Sequence, residues 1–179
     1  GGDSICAANI LYKKGFDLHV HFLIEQNEIK GPSKKFYEEY VNLSNQVSFG
    51  LGLEMFNDFD LLIDGIIGIG FRDTLDDNLV NWVNWINESD MYIISVDIPS
   101  GLNADSGIAS PIAVKANSTI TFGYSKIGLY LADGKDYSGD IIVEDIGFPE
   151  MVLDDIGEVE CKLFNPNDIE NILFKVPSN

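Results

Sequence analysis

The sequence predicts an α/β protein: a three-layer α/β/α sandwich around a mostly parallel sheet. Short apolar runs with strand character alternate with stretches of helical periodicity, and several runs stop abruptly in Asp, Gly, Ser or Pro. The 179 residues, 45% hydrophobic and 22% charged, suffice for one domain with its own core. Parallel strands need crossovers, and the helical stretches between the runs supply them.

Asp3 stands where an N-cap belongs for a helix over residues 4–14, with Ile5, Ala8, Leu11 and Tyr12 at helical spacing and Gly15 as the stop. Leu18, Val20, Phe22 and Ile24 alternate with His19 and His21 as in a strand, and the two histidines read as packing or surface residues. Pro32-Ser33 introduces a helix over about residues 34–48, whose stripe of Phe36, Tyr40, Val41, Leu43 and Val47 belongs in the core. Residues 60–67 form a second strand running into glycine. Asp73 then starts a helix with Leu75, Leu79, Trp82, Val83 and Ile86 on one side, Trp82 and Trp85 being packing residues. The apolar run of Tyr92, Ile93, Ile94 and Val96 suits a strand buried on both faces, and Asp97 marks its carboxyl end. Strands over 118–122 and 140–143 follow, then a closing helix over 167–174. Short late connections allow a mixed edge on this Rossmann-like sheet.

Eleven Lys and Arg against 29 Asp and Glu give a formal net charge of -18, a field that repels nucleic-acid phosphates and anionic lipid. A phosphate-bearing ligand must therefore be held locally, by backbone N–H groups, a few cationic side chains or a bound cation. Cys6 and Cys161 lie far apart and in no metal-ligand spacing, which points to a reducing compartment. With no apolar run of roughly 20 residues, a soluble, cytoplasmic protein is expected. The chain opens on Gly1-Gly2-Asp3 without an initiator Met and stops in Phe174-Lys175-Val176-Pro177-Ser178-Asn179, so residues 1–179 read as one domain of a longer protein in which another domain could follow.

Three glycine-bearing turns fall where strands end: Gly1-Gly2-Asp3-Ser4, Asp64-Gly65-Ile66-Ile67-Gly68-Ile69-Gly70 and Asp97-Ile98-Pro99-Ser100-Gly101. In a parallel sheet these share one edge, where open α/β sheets bind ligands. Glycines admit a ligand close to backbone amides, and helix N-termini favour anions. Asp64 and Ser100 could cage a hard cation through oxygen ligands, or Asp64 could cap a neighbouring turn. Lys126, in Phe122-Gly123-Tyr124-Ser125-Lys126, is a candidate phosphate or substrate contact, or else a solvated loop lysine.

These motifs resemble, in order, those of the NAD(P)HX epimerase family, the N-terminal half of bifunctional nicotinamide-nucleotide repair enzymes. Gly1-Gly2-Asp3 resembles the end of an Asn-Asn-Gly-Gly-Asp loop. Residues 64–70, followed by Phe71-Arg72, resemble Asp-Ala-Leu-Phe-Gly-Thr-Gly-Leu, with Ile69 in place of Thr. Residues 96–107 resemble Val-Asp-Ile-Pro-Ser-Gly-Leu-Asp-Ala-Asp-Thr-Gly, with Asn103 in place of Asp. Thr121-Phe122-Gly123, Lys126-Ile127-Gly128-Leu129, Asp136-Tyr137-Ser138-Gly139-Asp140 and Asp145-Ile146-Gly147-Phe148-Pro149 match closing blocks. The family's paired asparagines and first strand would lie before Gly1.

The resemblance implies a substrate, hydrated NADH or NADPH (NADHX or NADPHX), bound along Gly1, Gly2, Asp3, Gly68, Ile69, Gly70, Phe71, Arg72, Asp73, Thr74 and Asp97, with potassium (K+) on Asp64 and Ser100. Asp97 is the expected catalytic residue, handling protons at the C6 hydroxyl and stabilising a cationic intermediate. A rival reading is a non-catalytic scaffold of the same fold, and another a hydride-transferring dehydrogenase, whose Gly-x-Gly-x-x-Gly turn is not readable here. The sequence leaves open a homodimer and the choice between NADHX and NADPHX.

Overall fold

The structure, a computed structural model, describes residues 1–50, 56, 58–68, 74–147 and 163. The chain divides into two compact units, Gly1–Ile146 and Gly147–Asn179, and everything below concerns the first. The sequence-predicted helix over 167–174 lies outside the described residues.

Ten elements follow in order: α1 (Gly2–Lys13), β1 (Val20–Phe22), α2 (Pro32–Leu43), β2 (Val47–Phe49), β3 (Leu61–Asp64), α3 (Asp77–Glu88), β4 (Tyr92–Val96), β5 (Ser118–Phe122), α4 (Gly134–Tyr137) and β6 (Asp140–Glu144). Among the described residues every strand pair is parallel: β1 with β2, and β3-β4-β5-β6 as a four-stranded sheet. Helices flank these sheets, as the α/β expectation requires. The late edge is not mixed, because the connection from 123 to 139 crosses over through α4 and returns β6 parallel to β5.

Helix α1 ends as the sequence predicts, with Gly15 at φ 88° and bonds from its N–H to Tyr12 O and from Phe16 N–H to Leu11 O. Its start differs: Gly1 is the N-cap, and Asp3 lies inside the first turn, where its charge still faces the positive end of the helix dipole. Helix α2 ends five residues before the expected Ser48. Ser44 turns extended, and Val47–Phe49 becomes β2 because Val47 and Phe49 find parallel partners in Val20 and Phe22. Asp76, not Asp73, caps α3, its carboxylate accepting from Asn78 and Leu79 N–H, both at 2.9 Å.

The β1–β2 pair is covered on both faces. Phe22 and Phe49 stack on each other and meet Tyr37 of α2, while His21 stacks on Trp82 of α3, 4.9 Å between ring centroids. His19 and His21 are indeed packing residues, both hydrogen-bonded to Ser48 Oγ. Burial pulls the His21 pKa down, an effect that its bond to Gly50 O opposes. Helix α3 also covers the larger sheet, Val83 and Ile86 packing with Leu75, Ile93, Val114 and Ala116. A second apolar cluster, Ile98, Leu102, Ala113 and Leu129, lies beneath the loop that follows β4. The carboxyl ends of β3, β4 and β5 are thus held from below by packed side chains.

Candidate active site

Because β3, β4 and β5 are parallel and in register, with Asp64 opposite Ser95 and Val96 opposite Ile120, their carboxyl ends form one rim. Asp64 ends β3, Asp97 follows β4 directly, and Lys126 follows β5. Two carboxylates on neighbouring strands therefore reach the same edge, as the sequence pattern predicts.

Asp64 is sealed at that rim, only 1% exposed. Its Oδ1 accepts from Ser100 Oγ at 2.6 Å and Ile66 N–H at 3.3 Å, and its Oδ2 accepts from Ser95 Oγ at 2.8 Å and Ser100 N–H at 2.9 Å. Ser100 Oγ in turn accepts from Ile67 N–H at 2.9 Å, tying the β3 turn to the β4 turn. Burial drives the Asp64 pKa up, and the four hydrogen bonds work against that rise. Among the described residues no Lys, Arg or His comes within ion-pair distance of Asp64. The carboxylate and the hydroxyl oxygens of Ser95 and Ser100 beside it are the oxygen ligands a hard cation takes, although backbone N–H groups share them here.

Asp97 is arranged differently. Its φ is 69°, a left-handed value uncommon for a side chain with a Cβ, and Ile98 N–H bonds back to Val96 O at 2.9 Å across it in a one-residue γ-type turn. Its own N–H continues the sheet to Ile120 O at 2.7 Å. All the side-chain bonds fall on Oδ1: Thr121 Oγ1 donates at 3.1 Å, Phe122 N–H at 3.3 Å, and the Lys126 ammonium forms an ion pair. Among the described residues Oδ2 has no such donor. The side chain keeps 15% of its surface exposed, so one oxygen is anchored while the other is left without a protein donor among the described residues.

Glycine is required close by at two points. A Cβ on Gly101, at φ 92°, would strike Ile112 O, and one on Gly65 would fall inside the Ser4 side chain. The second contact, with the bond from Gly1 N to Gly65 O, brings the start of α1 to the end of β3. Gly1, Gly2 and Asp3 thus stand at the N-terminal turn of a helix beside this rim. Gly68 has open space where its Cβ would be, and Thr74 Oγ1 lies 3.4 Å from Ser110 Oγ. Ile69, Gly70, Phe71, Arg72 and Asp73 lie outside the described residues. Lys126 Nζ bonds Asp97 Oδ1, Thr121 Oγ1 at 3.0 Å and Phe122 O at 3.2 Å.

Ser95 and Thr121, both fully buried, were not legible as site residues. For Ser95 the available signal is a hydroxyl inside a strand otherwise apolar, near its carboxyl end; Thr121 shares its strand with Ser118 and Thr119 and carries no such signal. Two surface clefts, of about 560 Å³ beside Glu25–Ile29 and about 660 Å³ beside Asn87 and Lys115, touch neither Asp64 nor Asp97.

A family model described as YjeF-related protein N-terminus matches residues 1–128. The chain belongs to this family. A NAD(P)H-hydrate epimerase of Limosilactobacillus reuteri is 34% identical over 143 residues, covering 80% of this chain and 66% of that protein. One of Leuconostoc citreum is 33% identical, covering 82% and 65%. A bifunctional NAD(P)H-hydrate repair enzyme Nnr of Thermofilum pendens is 33% identical over 87% of this chain, which spans 31% of its length. The chain therefore spans just under two thirds of the length of the two epimerases. The crystal structure of yeast ynu0, YNL200c, has the same fold, with a TM-score of 0.70 at 16% identity over 92% of this chain and 69% of that one.

Proposed function

We propose that this member of the YjeF N-terminal family is the epimerase that interconverts the R and S epimers of hydrated NADH and NADPH in nicotinamide-nucleotide repair. The observation that carries the reading is Asp97: a carboxylate at the carboxyl end of a central parallel strand, anchored through one oxygen, with no donor on the other among the described residues. Support also comes from relatives that bear the epimerase name at 33–34% identity.

The substrate carries a hydroxyl at C6 of a reduced nicotinamide ring, beside the ring nitrogen. Electron release from that nitrogen expels the hydroxyl, and water re-adds to either face of the planar iminium. In this scheme Asp97 Oδ2 accepts the proton of the adding water and, in reverse, returns it to the departing hydroxyl. The same carboxylate lies against the cationic ring while it exists. Glycine turns and the start of α1 supply backbone N–H groups for the nucleotide's phosphates, which the net charge of -18 would otherwise repel.

Potassium is the ion this reading assigns to Asp64 and Ser100. The residues fit it: a sealed carboxylate with no Lys, Arg or His beside it among the described residues, joined to a hydroxyl oxygen. When bound, it would offset the Asp64 charge beside a phosphate site and brace the turns after β3 and β4. A cytoplasmic location and a partner set without nucleic acid or anionic membrane fit the same charge and the two widely spaced cysteines.

The test is conversion of the R to the S epimer by the full-length protein. Asp97→Ala is expected to lower the rate by about 100-fold or more, within the range for a positioned acid–base group. Activity near wild type would remove Asp97 from the reaction, and a wild-type protein inactive on both epimers would overturn the epimerase reading itself.

A further inference from the structure

The ammonium of Lys126 has three N–H donors, and the structure gives it three protein acceptors: Asp97 Oδ1, Thr121 Oγ1 at 3.0 Å and Phe122 O at 3.2 Å. Its side chain is only 19% exposed, so water does not compete strongly for those donors. Two of the three acceptors belong to the end of β5, and the third is the side chain on the strained residue after β4. Thr121 closes the circuit, since its hydroxyl accepts from Lys126 and donates to Asp97 Oδ1 at 3.1 Å. A lysine committed in this way has no N–H left for a phosphate.

We infer that Lys126 is a positioning residue for Asp97: with Thr121 it clamps Oδ1 to the end of β5 and so aims Oδ2 at the substrate. This inference rests on the epimerase reading given above.

Two features of the geometry support this role. The φ of 69° turns the backbone at Asp97 off the course of β4, and the donors to its side chain come from β5 and the loop after it. Placing all three donors on one oxygen then holds that oxygen at the end of β5 and leaves the other without a donor among the described residues. The position of Lys126 is itself set by the chain. Gly123 takes φ 68°, and its N–H bonds Glu144 O at 2.8 Å, turning the backbone back over β5 at the end of the strand. Ser125 Oγ pairs with Tyr130 Oη at 2.8 Å beside it, and Leu129 N–H bonds Lys126 O at 3.1 Å in the short helical turn that follows. The lysine is thus built into a loop with its own hydrogen bonds.

A positioning role and a phosphate-binding role predict opposite kinetics in the full-length protein. Lys126→Met is expected to lower kcat roughly 10- to 100-fold, the effect of losing one charge-assisted bond that aims the reacting group, with KM within about threefold of wild type. Lys126→Arg should recover part of kcat because a charge returns to Oδ1, and Thr121→Val should mimic Lys126→Met more weakly. A KM raised about tenfold or more with kcat unchanged would overturn the inference in favour of phosphate binding.

A crystal structure of Lys126→Met provides a second readout that needs no turnover. Asp97 is expected to leave Thr121 and Phe122 N–H in it; an unmoved carboxylate would also overturn the inference. Should Lys126→Met fail to fold, Thr121→Val carries the same two readouts. A wild-type protein without epimerase activity would instead strike the underlying reading, and the crystallographic arm would still decide whether Lys126 holds Asp97.

Discussion

Asp64 and Asp97 occupy corresponding places on adjacent strands, yet their surroundings share almost nothing. Asp64 is sealed and takes two donors on each oxygen, all of them hydroxyl or backbone N–H groups. Asp97 is partly open, takes three donors on one oxygen including an ammonium, and sits on left-handed backbone. The first arrangement uses both oxygens to hold two turns together, and the second leaves one oxygen without a donor among the described residues. The same residue type at one rim therefore does two jobs, separated by how its partners are distributed over its two oxygens.

The largest expected effect of breaking that contrast falls on Asp64. Asp64→Ala leaves Ser95 Oγ, Ser100 Oγ and two backbone N–H groups buried without their acceptor, a loss of about 3–5 kcal/mol of stability. A urea unfolding curve measures it. A change under about 1 kcal/mol would mean that the cage does not hold the turns together.

Asp97→Gly is expected to behave in the opposite way. It removes the ion pair with Lys126 but also relieves the left-handed φ, so its stability should stay within about 1 kcal/mol of wild type while epimerase activity disappears. The same unfolding curve, with the epimer assay beside it, shows whether function and stability separate at this residue. Equal large losses of stability at both aspartates would erase the distinction drawn here.

Much of this rim was legible in the sequence because its signals are local. A run of β-formers that stops at Asp and then Pro, Ser or Gly can be read without knowing what lies opposite, and Asp64, Asp97 and Ser100 were found in this way. What escaped depends on neighbours distant in sequence. Val47 continues the helical spacing of Leu43 and looks like a last helical turn; only its pairing with Val20 makes it part of a strand. Ser95 matters because the register sets it opposite Asp64. Lys126 reads as a phosphate or substrate contact or a solvated loop lysine because its acceptors are contributed by the ends of two strands, one of them 29 residues away. Asp3 was legible as belonging to a helix start, and only the exact cap depended on the glycine before it.

The smallest expected effect concerns pH and bears on the sealed member of the pair alone. Burial makes Asp64 hold its proton to a higher pH in the folded protein than in the unfolded chain, where the ordinary value is 3.8. Between those two values the folded state binds more protons than the unfolded state, so this group's contribution to stability falls as pH rises through the window and returns on acidification. Asp64→Asn removes the titration while keeping the shape. The stability gap between wild type and Asp64→Asn is therefore expected to widen in favour of wild type as pH is lowered from neutral toward 3.8, and taking the difference cancels the other carboxylates that acid protonates. Urea midpoints of both proteins across that range measure it. A gap that narrows on acidification would show that the charged form is the one the cage favours, and that hydrogen bonding outweighs burial at Asp64.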